Sequence, residues 1–486
     1  MRSMQRRELT ASKSTQYGSR ALVLIVAVFF LATAGSWAQE VYNGGSAVLG
    51  PTNGLWSNAA NWTNGVAPVA DNSLTFNAPV TGGTRTTTND LAAGTEYDNI
   101  TINGGQFFLS GNSISLGGTN PQFVVNSGTE TINLNITLLQ NTTFQVNSGG
   151  SNPLLINGVI SGNYGITKTG STMMRYTALQ TYTGDTVINS GTLDVTGDFI
   201  PHAAGDGNVI IANGATLDLN NTSANIDGLS GTGSVSKVGS GGRILTFGNN
   251  NANGVFVGGI FQNAGTLSLN KVGTGTQVLG GTMNEVGSIT VNGGTLLFDG
   301  TQTAGLSNII AVASGGTLGG TGTVLMMGGA TTLVVSNGGT LAPGDSVGLF
   351  KINGGLGLTL QSNANYAVDL NGLTFGSQYS STLVSGSGFI NLSNSVLDVN
   401  LGFTPTVGSQ FDIITNATGN AVLGTFAGLA DGSVFDADGT DLQITYDGGA
   451  GNDVVLTVVP EPSSLMLAAS GLVMLMVFRR RFSRES

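Results

Sequence analysis

Six short segments, INSGTLDV, ANGATLDL, QNAGTLSL, VNGGTLLF, ASGGTLGG and SNGGTLAP, repeat one pattern of tight turn and strand, with Thr-Leu beginning at residues 192, 216, 266, 295, 317 and 340. Successive offsets are 24, 50, 29, 22 and 23 residues, and the 50 reads as two periods if Ile244-Leu245 in SGGRILTF fills the missing rung. Weaker copies lie earlier, at INGGQFFL from Ile102, VNSGTETI from Val125 and VNSGGSNP from Val146. A unit of roughly 20–30 residues cannot bury an apolar face alone, so it folds only by stacking on its neighbours, which is the signature of a solenoid. A propeller blade needs roughly 40–50 residues, and an antiparallel sandwich would give less regular copies.

Each unit has a mechanical reading. Asn-Gly or Ser-Gly supplies a residue that tolerates positive φ, as a tight corner requires. The following x-Thr-Leu-x-Leu alternates faces, which sends Leu193, Leu217, Leu267 and Leu296 inward and lets the threonines stack outside from coil to coil, ~4.8 Å apart. The expected fold is all-β, a right-handed parallel β-helix of about 10–14 coils and about 50–65 Å. The expected organisation is a cap or opening over 39–100, the helix over 101–355 and a further β region over 356–459, between a leader (1–38) and a C-terminal segment (460–486).

With 77 glycines and 9% charged residues the chain resembles a low-complexity polymer, but its 40% hydrophobic content, in short alternating runs, argues for a packed core. It has no cysteine, which excludes disulfides, thiolate nucleophiles and cysteine zinc sites together. Nine of the 16 basic residues lie in the two terminal segments, leaving 7 Lys and Arg against 24 Asp and Glu between residues 39 and 459. That excess of acid makes nucleic acid and anionic membranes poor partners.

Both termini read as addresses. Arg2, Arg6, Arg7, Lys13 and Arg20 precede an apolar stretch over 21–32, and Ser36-Trp37-Ala38 presents small residues to signal peptidase, so cleavage after Ala38 and export are expected over an uncleaved anchor. At the other end, Val459, Pro460, Glu461 and Pro462 lead into an apolar run over 465–478 that ends at Arg479, Arg480 and Arg481. The run is shorter than the ~17–25 residues of a stable span, the arginines favour the cytoplasmic side, and two prolines hold the preceding backbone extended. An ordinary tail anchor is the plain alternative. In order, spacing and position the segment resembles the PEP-CTERM sorting signal. That resemblance implies an exosortase-type processing enzyme, transient anchoring in the inner membrane of a Gram-negative bacterium, and a final place at the cell envelope or in extracellular matrix.

A second resemblance covers much of 165–459. GITKTGSTMMRYTALQTYTGDTVINSGTLDV, residues 165–195, is similar to the autotransporter-associated β-strand repeat, with a Thr-Lys-x-Gly strand, a Thr-Tyr-Thr-Gly turn and an Asn-x-Gly-Thr-Leu strand; 235–269 is a looser copy without that turn. GGTLAPGDSVG (338–348) and YDGGAGNDVVLTVV (446–459) resemble the end of an autotransporter passenger, and GLWSNAANWTNGVAPVADNSLTF (54–76) its opening. The sorting tail stands where such a protein would continue into a translocating barrel, so self-secretion is not expected.

Candidate chemistry is sparse. His202 is the one histidine, with Asp198 and Asp206 four residues to either side, in a Gly- and Pro-bearing stretch that reads as a loop; a plain polar loop histidine competes with any catalytic role. Trp56 and Trp62 are either sugar-stacking platforms or a cap over an open coil. GGAGNDVVL, 448–456, fits one calcium-binding β-roll nonapeptide with Asp453 as a weak ligand candidate, although such sites form between adjacent copies; Asp431, Asp436, Asp438 and Asp441 lie near it in sequence. No catalytic residue, metal site or cofactor is assigned. The expected function is a non-enzymatic structural or adhesive protein, with extracellular polysaccharide as a possible partner. The rival is a β-helical enzyme or binder of polysaccharide, which a buried row of Asp with Arg or Lys on neighbouring coils would favour.

Overall fold

The computed structural model describes residues 39–42, 54–77, 84–147, 154–284, 286–302, 309–326 and 332–461. Short strands of alternating burial follow one another around three faces, and each pairs in parallel with the strand one coil on. Gln122–Ser127, Glu130–Ile132 and Ile136–Leu138 make one coil, and Thr142–Val146, Leu154–Ile156 and Ile160–Gly162 the next. Phe123 sits beside Phe144 on the first face, Ile132 beside Ile156 on the second and Ile136 beside Ile160 on the third. About 12 turns stack this way into a parallel β-solenoid. Partners lie from 18 residues apart (Leu217 and Val235) to 34 (Gln39 and Ser73), the variation residing in the corners.

Inward and outward positions follow the sequence alternation. Leu193, Leu217, Leu267 and Leu296 are all buried, and Leu193 stacks on Leu217 as Thr192 does on Thr216 outside. Thr295, Thr317 and Thr340 continue a second outer column. Aromatic rungs fill the wider coils: the rings of Phe123 and Phe144 stack at 5.6 Å.

One expectation needs correction. The Thr-Leu segments do not mark a single face: Thr192–Val195 and Thr216–Asp218 lie on the second, Thr266–Lys271 on the third, and the strands that hold Thr295, Thr317 and Thr340 on the first. From Thr216 the register runs to Ser234 and Gly259, and Thr266 follows on the next face. Nor does Ile244-Leu245 fill the missing rung. Thr266 and Leu267 pair with Gly242 and Arg243, whereas Ile244 pairs with Ser268 and is 47% exposed. An inward leucine packs equally well on any of three equivalent faces, so the motif is free to move around the coil.

Buried lysines secure the corners. Lys168 Nζ donates to the carbonyls of Thr169 (2.8 Å), Gly170 (3.0 Å) and, one coil on, Ser190 (3.0 Å). Lys271 repeats this with Val272, Gly273 and Gly293, and Lys237 with Gly239 and Ala264. The three stand on the first, third and second faces respectively. An ammonium has three donors and a corner turns carbonyls inward, so each lysine satisfies groups that no strand reaches. Gly191 fits here because its φ is +71° and a Cβ would lie 2.9 Å from Lys168 Nζ.

Both ends are covered. Gln39–Tyr42 pairs with Asn72–Asn77, and Trp56 and Trp62, both buried, cross edge to face at 6.3 Å beside Tyr42 and Phe76. Their indole N–H groups donate to Thr87 Oγ1 (2.7 Å) and the Trp56 carbonyl (2.8 Å). At the other end Asp453–Val458 pairs antiparallel with Gln410–Ala417 and with Thr440–Gly448, so the parallel ladder of the second face stops there.

The core holds ionisable groups of opposite pH response. Burial pushes the carboxyls of Glu130 up to about 8 and Asp227 up to about 7, and the ammonium groups of Lys168 and Lys271 down to about 8. Raised carboxyls contribute stability that is full below their ordinary values and lost as pH rises through the folded ones; depressed lysines contribute stability that is full above pH ~10.5 and lost as pH falls through ~8. The unfolding free energy is therefore expected to fall by a few kcal/mol from pH 4 to 8 and to recover towards pH 10, at ~1.4 kcal/mol per pKa unit, and the urea midpoint to follow it. Glu130→Gln flattens the acid arm and Lys168→Met the alkaline arm; a midpoint highest near pH 8 would refute these assignments.

Candidate functional sites and the sorting segment

The histidine loop occupies a gap in the third face. That face runs through Ile114–Leu116, Ile136–Leu138, Ile160–Gly162 and Thr181–Tyr182 and resumes at Ala224–Ile226. In the coil between, the chain bulges as TGDFIPHAAGDG. Asp198 replaces the absent strand: its carboxylate accepts from the backbone N (2.8 Å) and side-chain Nδ2 (2.6 Å) of Asn225, while Phe199 O accepts from Gln180 N on the coil before. Asp206 accepts from Ala203 N at 2.7 Å and closes the turn. His202 Nδ1–H donates to Ile200 O (2.8 Å), and Nε2 stands 3.6 Å from Asp198 Oδ2. Each member thus serves a structural bond, Asp198 to the next coil and His202 and Asp206 within the loop, and only Asp198 meets the imidazole.

A row that sequence scatter concealed appears on the second face. Arg175, Asp194 and Asp218 are register partners on three successive coils. Arg175 Nε donates to Asp194 Oδ1, Asn220 Nδ2 donates to Asp194 Oδ2 at 3.3 Å, and Asp218 accepts from Asn220 N at 2.8 Å. Burial raises the Asp194 carboxyl against the opposing pull of Arg175, and Asp218 adds to the rise. This is the arrangement that favours polysaccharide chemistry, but the Asp194 side chain is only 1% exposed. It forms a closed ion pair under its neighbours. The signal in sequence was the coil period itself: residues 175 and 194 are 19 apart, and 218 follows 24 later.

At Asp453 one carboxylate oxygen accepts from Asn416 N at 2.7 Å. The turn beside it borders a hollow of about 380 Å³ lined by Asn416, Asn420, Ala450 and Asn452 among others, with no acid in its lining. Asp431 accepts from Thr445 and Tyr446, Asp438 from Leu401 N, and Asp436 and Asp441 face each other across a strand pair. The carboxylates of Asp431, Asp436 and Asp438 serve separate local bonds. Among the described residues no group of three or more His, Asp or Glu could hold a metal.

The sorting segment begins where the last strand, Asp453–Val458, ends. Val458 N donates to Ser409 O and Val459 N to Asp441 O, each at 2.9 Å, and Pro460 and Glu461 then emerge exposed. Pro462, Arg479, Arg480, Arg481 and the cleavage candidate Ala38 lie outside the described residues. Among those described, no helix is long and apolar enough to cross a membrane.

With this geometry in place, comparison with known proteins is informative. Residues 458–481 match the PEP-CTERM protein-sorting motif. A stretch of 192 residues, 40% of this chain, is 29% identical to the adhesin BmaC autotransporter of Brucella suis biovar 1 (strain 1330). The chain spans about 5% of the length of that relative. Taken together, the chain is an exported β-solenoid that carries a PEP-CTERM sorting signal and is similar over part of its length to an autotransporter adhesin.

Proposed function

We propose that this protein is a non-enzymatic structural or adhesive component of the envelope or extracellular polysaccharide matrix of a Gram-negative bacterium, released by exosortase-type processing at its tail. The observation that carries the reading is the exit of the chain: the last strand ends at Val458, and Pro460 and Glu461 follow it exposed within the matched sorting motif. A processing enzyme would find an accessible, helix-resistant segment beside a closed fold. The similarity to a protein named an adhesin supports the adhesive role, and the acidic, Thr- and Asn-lined coils suit many weak polar contacts. Signal peptidase removes the leader after Ala38. The reading assigns no cofactor. The domain limits given above are part of the same reading.

The tail supplies the first test. Replacement of Arg479, Arg480 and Arg481 by alanine removes the cytoplasmic anchor, and replacement of Pro460 and Pro462 lets helix run on to the membrane surface. Each variant is expected to accumulate as precursor while the solenoid folds normally. A wild-type C-terminus by mass spectrometry in both would sink the sorting role.

A second reading, a polysaccharide-cleaving enzyme, is favoured by the row Arg175, Asp194 and Asp218. Because Asp194 is sealed, the purified protein is expected to leave common polysaccharides uncleaved. Depolymerisation that Asp194→Asn or Asp218→Asn abolishes would replace the structural reading with the enzymatic one.

A further inference from the structure

The cover at the C-terminal end closes two faces and stops short of the first. On the second face Gln410–Ala417 is paired by Asp453–Val458. On the third, Leu423 bonds across the end of Phe389–Asn391, its N donating to Ile390 O (2.8 Å) and its carbonyl accepting from Leu392 N (2.9 Å). The last strand of the first face, Val396–Leu401, pairs among the described residues only with Asn365–Leu370 on the coil before. Val396 N and Gly402 N donate back to Ala364 O and Leu370 O, so the even-numbered residues face that coil and the odd-numbered ones face away from it. At both ends of this outer edge the odd positions are held: Ser395 O accepts from Ala427 N at 2.7 Å, and Leu401 N donates to Asp438 Oδ2 at 3.0 Å. Between them, no described residue bonds the N–H and C=O groups of Leu397 and Val399. The core beneath is open as well. Leu397, Val399 and Leu401 are half-buried, whereas their register partners Tyr366, Val368 and Leu370 are 0–2% exposed.

An unpaired edge with apolar side chains open beneath it is a template onto which an extended chain adds as a further strand. Charge selects the partner. Residues 352–461 hold nine Asp and one Glu and no Lys or Arg, and Asp398 stands exposed in the middle of the edge strand. We propose that this edge receives an extended, basic segment of another protein, which adds a short strand to the first face. Main-chain bonds to Leu397 and Val399 hold that segment in place. Its alternate apolar side chains cover Leu397, Val399 and Leu401, and the Lys or Arg side chains between them lie beside Asp398. A second copy of this chain is the poorer occupant, because its own excess of acid would meet the acids of this end.

Fluorescence anisotropy of a labelled peptide, Lys-Val-Lys-Val-Thr-Val-Lys, titrated with the processed protein tests the addition. Saturable binding is expected, weakened by salt. Proline in place of the peptide's central valine removes a main-chain donor and should weaken binding ~10-fold or more. The same peptide with glutamate for each lysine should not bind. In the protein, Val399→Pro should abolish binding while the fold survives, because the N–H it removes faces away from the ladder, where an edge strand tolerates proline. The proline peptide, tested on the wild type, keeps the experiment decisive even if Val399→Pro fails to fold. Absence of binding, equal binding of the proline or glutamate peptide, or binding unchanged in a Val399→Pro protein that melts as the wild type does would each overturn the proposal. So would self-association by sedimentation velocity that Val399→Pro abolishes, since that would assign the edge to a second copy.

Discussion

Strands of three to six residues satisfy their backbone groups only from the strands of adjacent coils, and everything else in this protein depends on that pairing. A hairpin of such length is marginal in water, and no coil encloses enough apolar surface to stand alone. Stacking supplies both requirements, because parallel ladders on three faces pair the backbone while the same register places leucine on leucine and phenylalanine on phenylalanine inside. The arrangement leaves two places where pairing fails, the corners and the ends. Lys168, Lys237 and Lys271 resolve corners by turning an ammonium onto inward carbonyls of two successive coils. The aromatic cluster around Trp56 and the antiparallel strands before Val459 resolve the ends.

The same logic explains why apparent chemistry turns out to be structural. Where a coil lacks its third strand, Asp198 supplies the acceptors that the strand would have offered to Asn225, and His202 is carried along in the loop that does so. Asp194 and Asp218 face outward on adjacent coils and are drawn into bonds with Arg175 and Asn220. In a solenoid every polar residue has a neighbour one coil above and one below, so short-range satisfaction is easily found, and a site open to substrate requires a residue kept out of that network.

The fold was legible because its determinants are local: the alternation that buries Leu193 and Leu296 and the glycine corners are both visible within eight residues. The phase of the repeat was not. Whether Thr266 shares a face with Thr216 depends on how many residues each corner absorbs, and corners absorb different numbers because backbone turns of several lengths reach the next face equally well. The row of Arg175, Asp194 and Asp218 was hidden for the same reason, since it emerges only when register is known. Asp198 was noticed for its distance from His202, yet its partner is Asn225, 27 residues away. The tail was legible as a motif, and the fold adds that its match begins at the end of the last strand, Asp453–Val458.

Register is the central claim, and the absence of native cysteine makes it directly measurable. Adjacent outward positions on parallel coils lie within disulfide reach. Thr295→Cys with Thr317→Cys, partners on the first face, is expected to oxidise to an intramolecular disulfide, whereas Thr266→Cys with Thr295→Cys, consecutive in the repeat but on different faces, is expected to stay reduced. A disulfide in the second pair with none in the first would contradict the three-faced coil and its phase.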